Sequence, residues 1–381
     1  MTPPSRYCGG TLESVPTPAA IIDLERVMDN TARMSARAHA LGVRLRPHVK
    51  THKCIEVARL QTESHFGGIT VSTLAEAAHF AQAGFKDITF AVPIAPGRVQ
   101  RALSIAESLE RLNLLVDDDV AIDALASAGA LSPIPVYLKV DCGYHRAGVD
   151  PASPDALRLA RRLHDESAIE FVGILAHAGH SYDCDGPAAI RKVAEQERAV
   201  TVAFAEQLRA AGIPCPEVSV GSTPTSSLVE DLTGVTEIRP GNYALFDVFQ
   251  AGIGSCGVAN IALSVVTEII GVYPARGTIL VDAGALALSK DQGPRHVAAD
   301  AGYGVVCSLD GTPLSGLSLI GLSQEHGKIR VEDAGHIQRL QVGDRLRVLP
   351  NHSCLVTALY DALQVLEDDA LVDAWRPARG W

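Results

Sequence analysis

Apolar runs typical of β-strands alternate with helical segments through most of this chain. Eight such runs recur at a spacing of roughly 20 to 35 residues, as successive strand and helix units require. They lie at residues 43–50, 67–73, 87–93, 113–118, 135–142, 171–177, 217–223 and 237–246. The segments between them, such as 74–83 and 188–211, are rich in Ala and Leu with charges on one face, which favours crossover helices. The alternation predicts a (β/α)8 TIM barrel over residues 25–260.

Residues 261–381 follow a different pattern. Alternating or wholly apolar strands are predicted at 279–283, 317–322, 327–332 and 345–349, separated by Gly, Asp and Pro. This pattern indicates a second, mainly β domain. A short strand at 19–23, within the N-terminal residues 1–24, can pair with this domain rather than with the barrel.

Composition narrows the choice of partner. The 381 residues are 47% hydrophobic with a net charge of -11, and basic residues cluster only locally. Nucleic acids and membrane surfaces reward broad positive fields, so we expect neither as a partner and predict a small-molecule substrate. Residues 1–6 lack the apolar segment of a signal peptide, and no run approaches the ~18 apolar residues of a membrane helix. Eight cysteines without CxxC spacing suit reduced thiols, so we expect a cytoplasmic protein.

A basic, His-rich cluster follows the first predicted strand, which is expected to end in Lys50. Residues 46–53 read Arg-Pro-His-Val-Lys-Thr-His-Lys. A lysine at the mouth of a buried strand, among other cations, has its ammonium form disfavoured and becomes a nucleophilic amine suited to Schiff-base chemistry. On the cluster alone a solvated basic loop is an equally good explanation, because surface lysines are far commoner than buried ones.

Glycine-rich segments close the last two predicted barrel strands. They are Gly221-Ser222-Thr223 and Arg239-Pro240-Gly241-Asn242-Tyr243. Glycines there let backbone N–H groups approach an anion, and phosphate sites in barrels commonly follow strands seven and eight. Each glycine taken singly is more often a turn residue. A lysine together with a phosphate cradle predicts pyridoxal 5'-phosphate as cofactor.

Several motifs together resemble the D-serine dehydratase and D-threonine aldolase family of fold-type III pyridoxal phosphate enzymes. They are Pro47-His48-Val49-Lys50-Thr51-His52-Lys53, Asp141-Cys142-Gly143 with Arg146-Ala147-Gly148, Arg239-Pro240-Gly241-Asn242-Tyr243, Glu325-His326-Gly327 and Pro350-Asn351-His352-Ser353-Cys354. The resemblance spans nearly the whole chain. It implies an alanine-racemase-like barrel followed by a β domain, a homodimer, and a β-hydroxy D-amino acid as substrate.

The resemblance also implies roles for individual residues. Lys50 would form the Schiff base with the cofactor, and Arg146 would lie near its phenolic oxygen. His177 and Tyr182 would line the cofactor ring. The residues implied to hold the phosphate are Gly221, Ser222, Thr223, Gly241, Asn242 and Tyr243.

His352 and Cys354 are two residues apart on a predicted extended segment, so both side chains can bind one divalent ion. A nitrogen and thiolate pair favours zinc over harder cations such as Mn²⁺ or Mg²⁺, which remain the alternatives. The aldolases of the family carry His-x-Asp at the corresponding segment, and this chain resembles the dehydratases there. Without the resemblance, a buried histidine and an unreactive core cysteine would explain the pair better than a metal site.

The sequence therefore predicts a zinc- and pyridoxal phosphate-dependent dehydratase. Its substrate would be a β-hydroxy D-amino acid such as D-serine or D-threo-3-hydroxyaspartate, and its products a 2-oxo acid and ammonia. A metal-dependent aldolase for D-threonine or 3-hydroxy-D-aspartate is the alternative. A non-catalytic pyridoxal phosphate carrier is less favoured, because a carrier needs neither a second domain nor a metal pair.

Overall fold

A computed structural model describes residues 9–298 and 302–381 of the chain. These residues form two compact units. Residues 32–241 and 378–381 form the parallel unit, and the described parts of 9–31 and 242–377 form the antiparallel unit. The expectations about a signal peptide in residues 1–6 and about Cys8 lie outside the described residues.

Seventeen strands run through the described residues. In chain order they are β1 (Ala19–Asp23), β2 (Arg44–Leu45), β3 (Ile69–Val71), β4 (Asp87–Pro93), β5 (Arg111–Val116), β6 (Ile134–Lys139), β7 (Ile169–Leu175), β8 (Glu217–Val220), β9 (Glu237–Ile238), β10 (Leu263–Tyr273), β11 (Thr278–Val281), β12 (Gly304–Cys307), β13 (Pro313–Leu322), β14 (Gly327–Val331), β15 (Arg345–Pro350), β16 (Leu363–Glu367) and β17 (Ala370–Trp375).

Twelve α-helices accompany these strands in the same described part of the chain. They are α1 (Leu24–Ala40), α2 (Ile55–Thr62), α3 (Leu74–Gln82), α4 (Val99–Ala106), α5 (Asp119–Ala126), α6 (Pro154–Asp165), α7 (Pro187–Ala210), α8 (Thr223–Leu228), α9 (Val248–Gly252), α10 (Ala285–Leu288), α11 (Ala334–Ile337) and α12 (Ser353–Thr357). None of the described helices is both long and apolar enough to cross a membrane.

The parallel unit is built on one eight-stranded sheet. Its strand order is β2-β9-β8-β7-β6-β5-β4-β3, and every pairing in it is parallel. Each strand falls within, or shares most of its residues with, one of the eight predicted runs, so the prediction of eight successive parallel strands is confirmed as a half-barrel. Beyond β2, His48 forms a parallel bridge with Thr70 of β3.

The helices that connect these strands follow from local sequence. Ser153 is the N-cap of α6, where its side chain accepts the N–H of Asp155, and Pro154 occupies the first turn. Pro is tolerated there because that turn's N–H groups have no partner within the helix. The apolar face of α6 is buried through residues at helical spacing, namely Ala156, Leu159, Ala160 and Leu163. The other crossover helices also bury one apolar face, and this burial holds them against the sheet.

The predicted end of the first strand is wrong. β2 ends at Leu45, and Lys50 lies in a single 3-10 turn over Val49–Thr51. Pro47 follows the strand and has no N–H to donate to a neighbouring strand, which ends regular pairing there. The eighth run, predicted at 237–246, is likewise only Glu237–Ile238 as a strand. The loops after both strands are largely buried, as the strands are, and a buried loop of this kind is not distinguished from a strand by sequence alone.

The antiparallel unit is built on a nine-stranded sheet. Its order is β11-β14-β13-β12-β15-β10-β1-β16-β17. β1 pairs antiparallel with β10 and parallel with β16, so the prediction that the N-terminal strand joins this domain is confirmed. The sequence analysis missed β10, β12, β16 and β17. Residues 263–267 of β10 are all buried, which removes the alternation by which a half-buried strand is recognised.

Candidate active site

Lys50 sits directly beside the neutral imidazole of His48. The Nδ1 atom of His48 accepts the backbone N–H of Lys50 over 3.4 Å, so the ring proton is on Nε2, which donates to Ser72 Oγ at 3.2 Å. Burial and the positive charge of Lys50 hold the pKa of His48 well below its usual value. The turn that carries Lys50 is therefore fixed by a histidine that adds no charge to it.

His177, just after β7, is a second neutral imidazole in the same neighbourhood. Its Nδ1–H donates to the carbonyl oxygen of Gly221 at 3.1 Å, which leaves the lone pair on Nε2. Burial, followed by the charges of Lys50 and Lys139, lowers its pKa well below the usual value. The charge of Lys50 thus lowers the pKa of both His48 and His177, so Lys50 belongs to the same neighbourhood as the two imidazoles.

Four positive side chains, Lys50, Lys139, Arg146 and Arg239, form what we call the cation cluster. Lys139 ends β6 and is buried; burial and the charge of Arg239 lower its pKa to about 8. Arg239 is buried and donates to Ser219 Oγ and to backbone carbonyls. Arg146 is exposed, and its charge also lowers the pKa of Lys139. So much positive charge in one place suits an anionic ligand.

A buried carboxylate, Glu197 on α7, braces two loops of this region. It is 2% exposed and accepts the N–H groups of Ala178 at 2.9 Å and Gly221 at 3.1 Å on the same oxygen. Its other oxygen accepts the hydroxyl of Thr225 at 3.2 Å. The sequence analysis missed Glu197. A signal was present, because Glu197 shares the buried face of α7 with apolar residues such as Ala194 and Phe204.

Glycines permit close packing where the loops after β8 and β9 meet the Lys50 turn. Gly221 has φ +109°, and a Cβ there would lie 2.8 Å from Ser226 Oγ. A Cβ on Gly241 would lie 2.5 Å from the carbonyl oxygen of His48. The N–H of Gly241 donates to Thr223 Oγ1 at 3.3 Å. Ser226 Oγ is buried and has no hydrogen-bond partner among the described residues, so it can serve a bound anion.

The structure brings together most of the predicted cofactor residues. Lys50, His177, Gly221, Thr223 and Gly241 are linked by the contacts above. Ser222 is the N-cap of α8, and its hydroxyl is hydrogen-bonded to that of Ser181 at 2.8 Å. Tyr182 lies in the same turn as Ser181, over Gly179–Asp183. The last two predicted residues, Asn242 and Tyr243, belong to the antiparallel unit.

His352 is the N-cap of α12, and Ser353 and Cys354 form the first turn of that helix, so the predicted extended segment is wrong. We call these three residues the His-Ser-Cys turn. The Nδ1–H of His352 donates to Asp291 Oδ2 at 3.0 Å, and the ring is also hydrogen-bonded to the Cys354 side chain. Burial opposes the charged imidazole, but the hydrogen bonds to Asp291 and Cys354 raise the pKa of His352 to about 11. The predicted nitrogen and sulfur donors are therefore side by side.

A second carboxylate, Asp247, holds the backbone of this turn. It is buried and accepts the N–H of Ser353 at 3.0 Å and the amide of Asn242 at 2.7 Å. The Asn242 amide also donates to Ser353 Oγ at 2.9 Å and approaches Cys354 Sγ at 3.9 Å. In the antiparallel unit, Asn242 thus supports the His-Ser-Cys turn. Neither Asp247 nor Asp291 was singled out from the sequence.

The donor set of the turn fits a soft or borderline cation. One imidazole nitrogen and one thiolate can bind zinc and leave coordination positions for substrate oxygen and water. Within residues 9–298 and 302–381, no group of three or more His, Cys, Asp and Glu side chains is arranged to hold a metal.

Two family models match this chain. The alanine racemase N-terminal domain matches residues 22–247, and a serine dehydratase domain matches residues 262–366. These matches identify the fold as alanine-racemase-like, with a parallel half-barrel and an antiparallel β domain.

Two characterised relatives align over almost their full lengths. The chain is 45% identical to the D-threo-3-hydroxyaspartate dehydratase of Delftia sp. strain HT23, over 97% of this chain and 99% of that one. It is 35% identical to the D-serine dehydratase of Dictyostelium discoideum, over 97% and 98%.

Solved structures of the Delftia enzyme agree with these alignments. One matches with a TM-score of 0.94 and 44% identity, covering 97% of this chain and 100% of that one. Another is described as a cysteine-to-alanine variant in the metal-free form. This chain therefore belongs to the family of alanine-racemase-like enzymes that contains the D-serine dehydratases and the D-threonine aldolases.

Proposed function

We propose that this chain is a pyridoxal phosphate- and zinc-dependent dehydratase. It would convert a β-hydroxy D-amino acid, D-threo-3-hydroxyaspartate or D-serine, to a 2-oxo acid and ammonia. The observation that carries the proposal is the contact between the His352 imidazole and the Cys354 side chain. In a family whose aldolases carry an aspartate in place of this cysteine, the thiol favours the dehydratase reaction.

The residues of the parallel unit fit pyridoxal phosphate. The glycines let the loops after β8 and β9 pack closely beside the Lys50 turn, the unpartnered Ser226 hydroxyl offers a donor for a phosphate, and the cation cluster matches its charge. When bound, the cofactor withdraws electrons from the α-carbon of an amino acid attached through its amine. Lys50 would attach to it covalently, Arg146 would lie near its phenolic oxygen, and His177 and Tyr182 would line its ring. The phosphate would be held by Gly221, Ser222, Thr223, Gly241, Asn242 and Tyr243.

Lys50 is the residue we assign to proton transfer. Once the substrate amine has replaced it, the Lys50 amine can remove the proton from the substrate α-carbon. His48 and His177 are held neutral by burial and by the charge of Lys50 itself, so they add no positive charge beside the amine. The buried guanidinium of Arg239 and the ammonium of Lys139 stabilise negative charge in the same region.

The His-Ser-Cys turn supplies the group for the β-hydroxyl. His352 and Cys354 would hold zinc, with Mn²⁺ or Mg²⁺ as the alternative. A bound zinc ion acts as a Lewis acid and makes hydroxide a better leaving group. Asp247 and Asn242 keep the turn in place, and Asp291 keeps the ring proton of His352 on Nδ1. The metal-free cysteine variant of the Delftia enzyme supports a role for this cysteine in metal binding.

The proposal also covers the closure of the barrel, the oligomeric state, the cellular compartment and the functional domains. We propose that the eight parallel strands form a closed TIM barrel and that the protein is a cytoplasmic homodimer, as the family resemblance implies. As functional domains we propose residues 25–260 for the cofactor and residues 261–381, with the strand in 1–24, for the metal. The seven described cysteines form no disulfide bond among themselves, which suits a reducing compartment.

Product analysis tests the reaction class. Purified enzyme with pyridoxal phosphate and zinc would be given D-serine, D-threo-3-hydroxyaspartate and D-threonine in separate reactions. A dehydratase releases ammonia with pyruvate, oxaloacetate or 2-oxobutyrate, whereas an aldolase releases glycine and an aldehyde. Glycine as the main product would overturn the proposal in favour of the aldolase. No product from any substrate would favour a carrier.

A further inference from the structure

Asp291 is held at both of its carboxylate oxygens. Oδ2 accepts the Nδ1–H of His352 at 3.0 Å, and Oδ1 accepts the backbone N–H of Gly293 at 2.8 Å. The carboxylate therefore has one oxygen fixed by its own loop and the other directed at the imidazole. A side chain held in this way does not rotate to follow the ring, so the ring must follow it.

The loop that carries Asp291 is fixed by the residue next to His352. The side-chain amide of Asn351 donates to the carbonyl oxygen of Asp291 at 2.9 Å and to that of Gly302 at 3.0 Å. Gly293 has φ +67°, and a Cβ there would come within 3.0 Å of the Asn351 amide, so only glycine fits without displacement. Asn351 and His352 thus hold Asp291 by its backbone and by its side chain.

We propose that Asp291 is a positioning residue that fixes the tautomer and orientation of the His352 imidazole for metal binding. With the Nδ1–H donated to Asp291, the ring can offer only Nε2 to a metal. Partners of this kind orient a ligating histidine and raise its basicity. The inference rests on the proposed metal site at His352 and Cys354, and it adds a residue outside the His-Ser-Cys turn.

Zinc affinity in three variants tests this role. Asp291→Ala removes the acceptor, so zinc should bind about 10- to 100-fold more weakly, the loss usual for such partners. Asp291→Asn keeps one carbonyl oxygen that can accept the Nδ1–H, so its affinity should lie between that of Asp291→Ala and the parent. Asp310→Asn changes an exposed aspartate that is hydrogen-bonded to Ser308, and its affinity should match the parent. Competition with a chromogenic chelator gives all four dissociation constants.

Cobalt substitution separates orientation of the ring from general loss of structure. With cobalt bound, Asp291→Ala should keep the thiolate-to-metal absorption of Cys354 but change the visible ligand-field bands, because the imidazole is no longer fixed. Circular dichroism would show that each variant is folded. Parental zinc affinity and parental cobalt bands in folded Asp291→Ala would overturn the inference.

The parent protein provides the reference for the proposed metal site. If the parent itself binds no zinc at His352 and Cys354, the proposed function fails, and the inference about Asp291 fails with it. If the parent binds zinc and Asp291→Ala binds it equally well, only the inference fails. The two failures are therefore distinguished in one experiment.

Discussion

The cation cluster of the parallel unit and the His-Ser-Cys turn of the antiparallel unit bury opposite kinds of charge. In the parallel unit, Lys139 and Arg239 are buried and two histidines are kept neutral, while the buried carboxylates of Glu197 and Glu237 offset only part of the charge of the four cations. In the antiparallel unit, the buried Asp247 accepts the backbone N–H of Ser353, and the half-buried Asp291 accepts the Nδ1–H of His352.

The difference shows which charge each region is built to receive. Buried like charges are costly unless something compensates them, so a surplus of one sign predicts a ligand of the other. The cation cluster predicts an anion, and the carboxylate-supported turn predicts a cation. The proposed pyridoxal phosphate and zinc would satisfy these two requirements separately, so we expect each to be removable without the other.

Replacing Lys50 gives the largest expected effect, and it acts on the cation cluster of the parallel unit alone. Lys50→Ala removes the amine that bonds to the cofactor, so the absorption of bound cofactor at ~420 nm should disappear and activity should fall by roughly four orders of magnitude. Zinc binding at the His-Ser-Cys turn should be unchanged. Lys192→Ala, an exposed lysine on α7, is the matched control. An adduct that borohydride still traps in Lys50→Ala would refute the assignment.

Removal of the metal by a chelator acts on the His-Ser-Cys turn alone. Removing the metal should lower the rate of elimination by about two orders of magnitude, because a Lewis acid contributes several kcal/mol to the loss of hydroxide. The absorption of the bound cofactor should remain, and zinc should restore activity better than manganese or magnesium. Metal analysis of the chelated protein is the necessary control. Full activity in protein shown to be metal-free would contradict the role of a metal at the His-Ser-Cys turn.

Replacing Glu197 tests whether the loops that carry Ala178 and Gly221 depend on its carboxylate for their stability. Glu197→Ala leaves the N–H groups of Ala178 and Gly221 buried without an acceptor, so the free energy of unfolding should fall by about 2 kcal/mol. Affinity for pyridoxal phosphate should fall as well. Glu195→Ala removes an exposed carboxylate from the same helix and should cost under ~1 kcal/mol. Equal stability of the two variants in chemical denaturation would contradict the role of Glu197.

Cys354→Asp tests whether the thiol of the His-Ser-Cys turn decides the choice of metal and of reaction. An aspartate favours a harder ion, as in the aldolases of the family, so dehydratase activity should fall at least tenfold, equivalent to ~1.4 kcal/mol of transition-state stabilisation. Added manganese should permit weak cleavage of D-threonine to glycine and acetaldehyde. The measurement is the rate of each product with zinc and with manganese. Parental elimination with zinc bound would remove the main reason for preferring a dehydratase over an aldolase.

Sequence predicted the order of the parallel strands better than their ends. The positions of the eight strands follow from apolar runs, because strands buried on both faces are continuously apolar. Lys50 was assigned to the wrong element because the loop after β2 is buried as a strand would be, through residues such as Val49 and Thr51, although most of its residues are basic or polar. β10 was missed for the related reason that burial on both faces hides the strand alternation.

Some residues of the candidate site could also be predicted from the sequence, and others could not. Lys50, His352 and Cys354 could be singled out because their chemistry is visible in residue type and spacing, and their roles stay predictions. Glu197 and Asp291 could not, because an acidic residue in a helix or loop is usually solvated. Their importance depends on burial and on hydrogen bonds from distant residues, which only the fold supplies.

The place of β1 in its sheet has a consequence for how the chain matures. Every strand of the parallel sheet lies between residues 44 and 238, so that sheet can assemble during synthesis as soon as this stretch has left the ribosome. β1 is made first, yet its two partners are β10 and β16, which begin at Leu263 and Leu363. It must therefore stay unpaired until β10 has been made, and one of its edges stays open until β16 has been made. A product that stops before β16 would leave one edge of this apolar strand open, which invites pairing with another chain and makes truncation more harmful than the loss of a short C-terminal segment suggests.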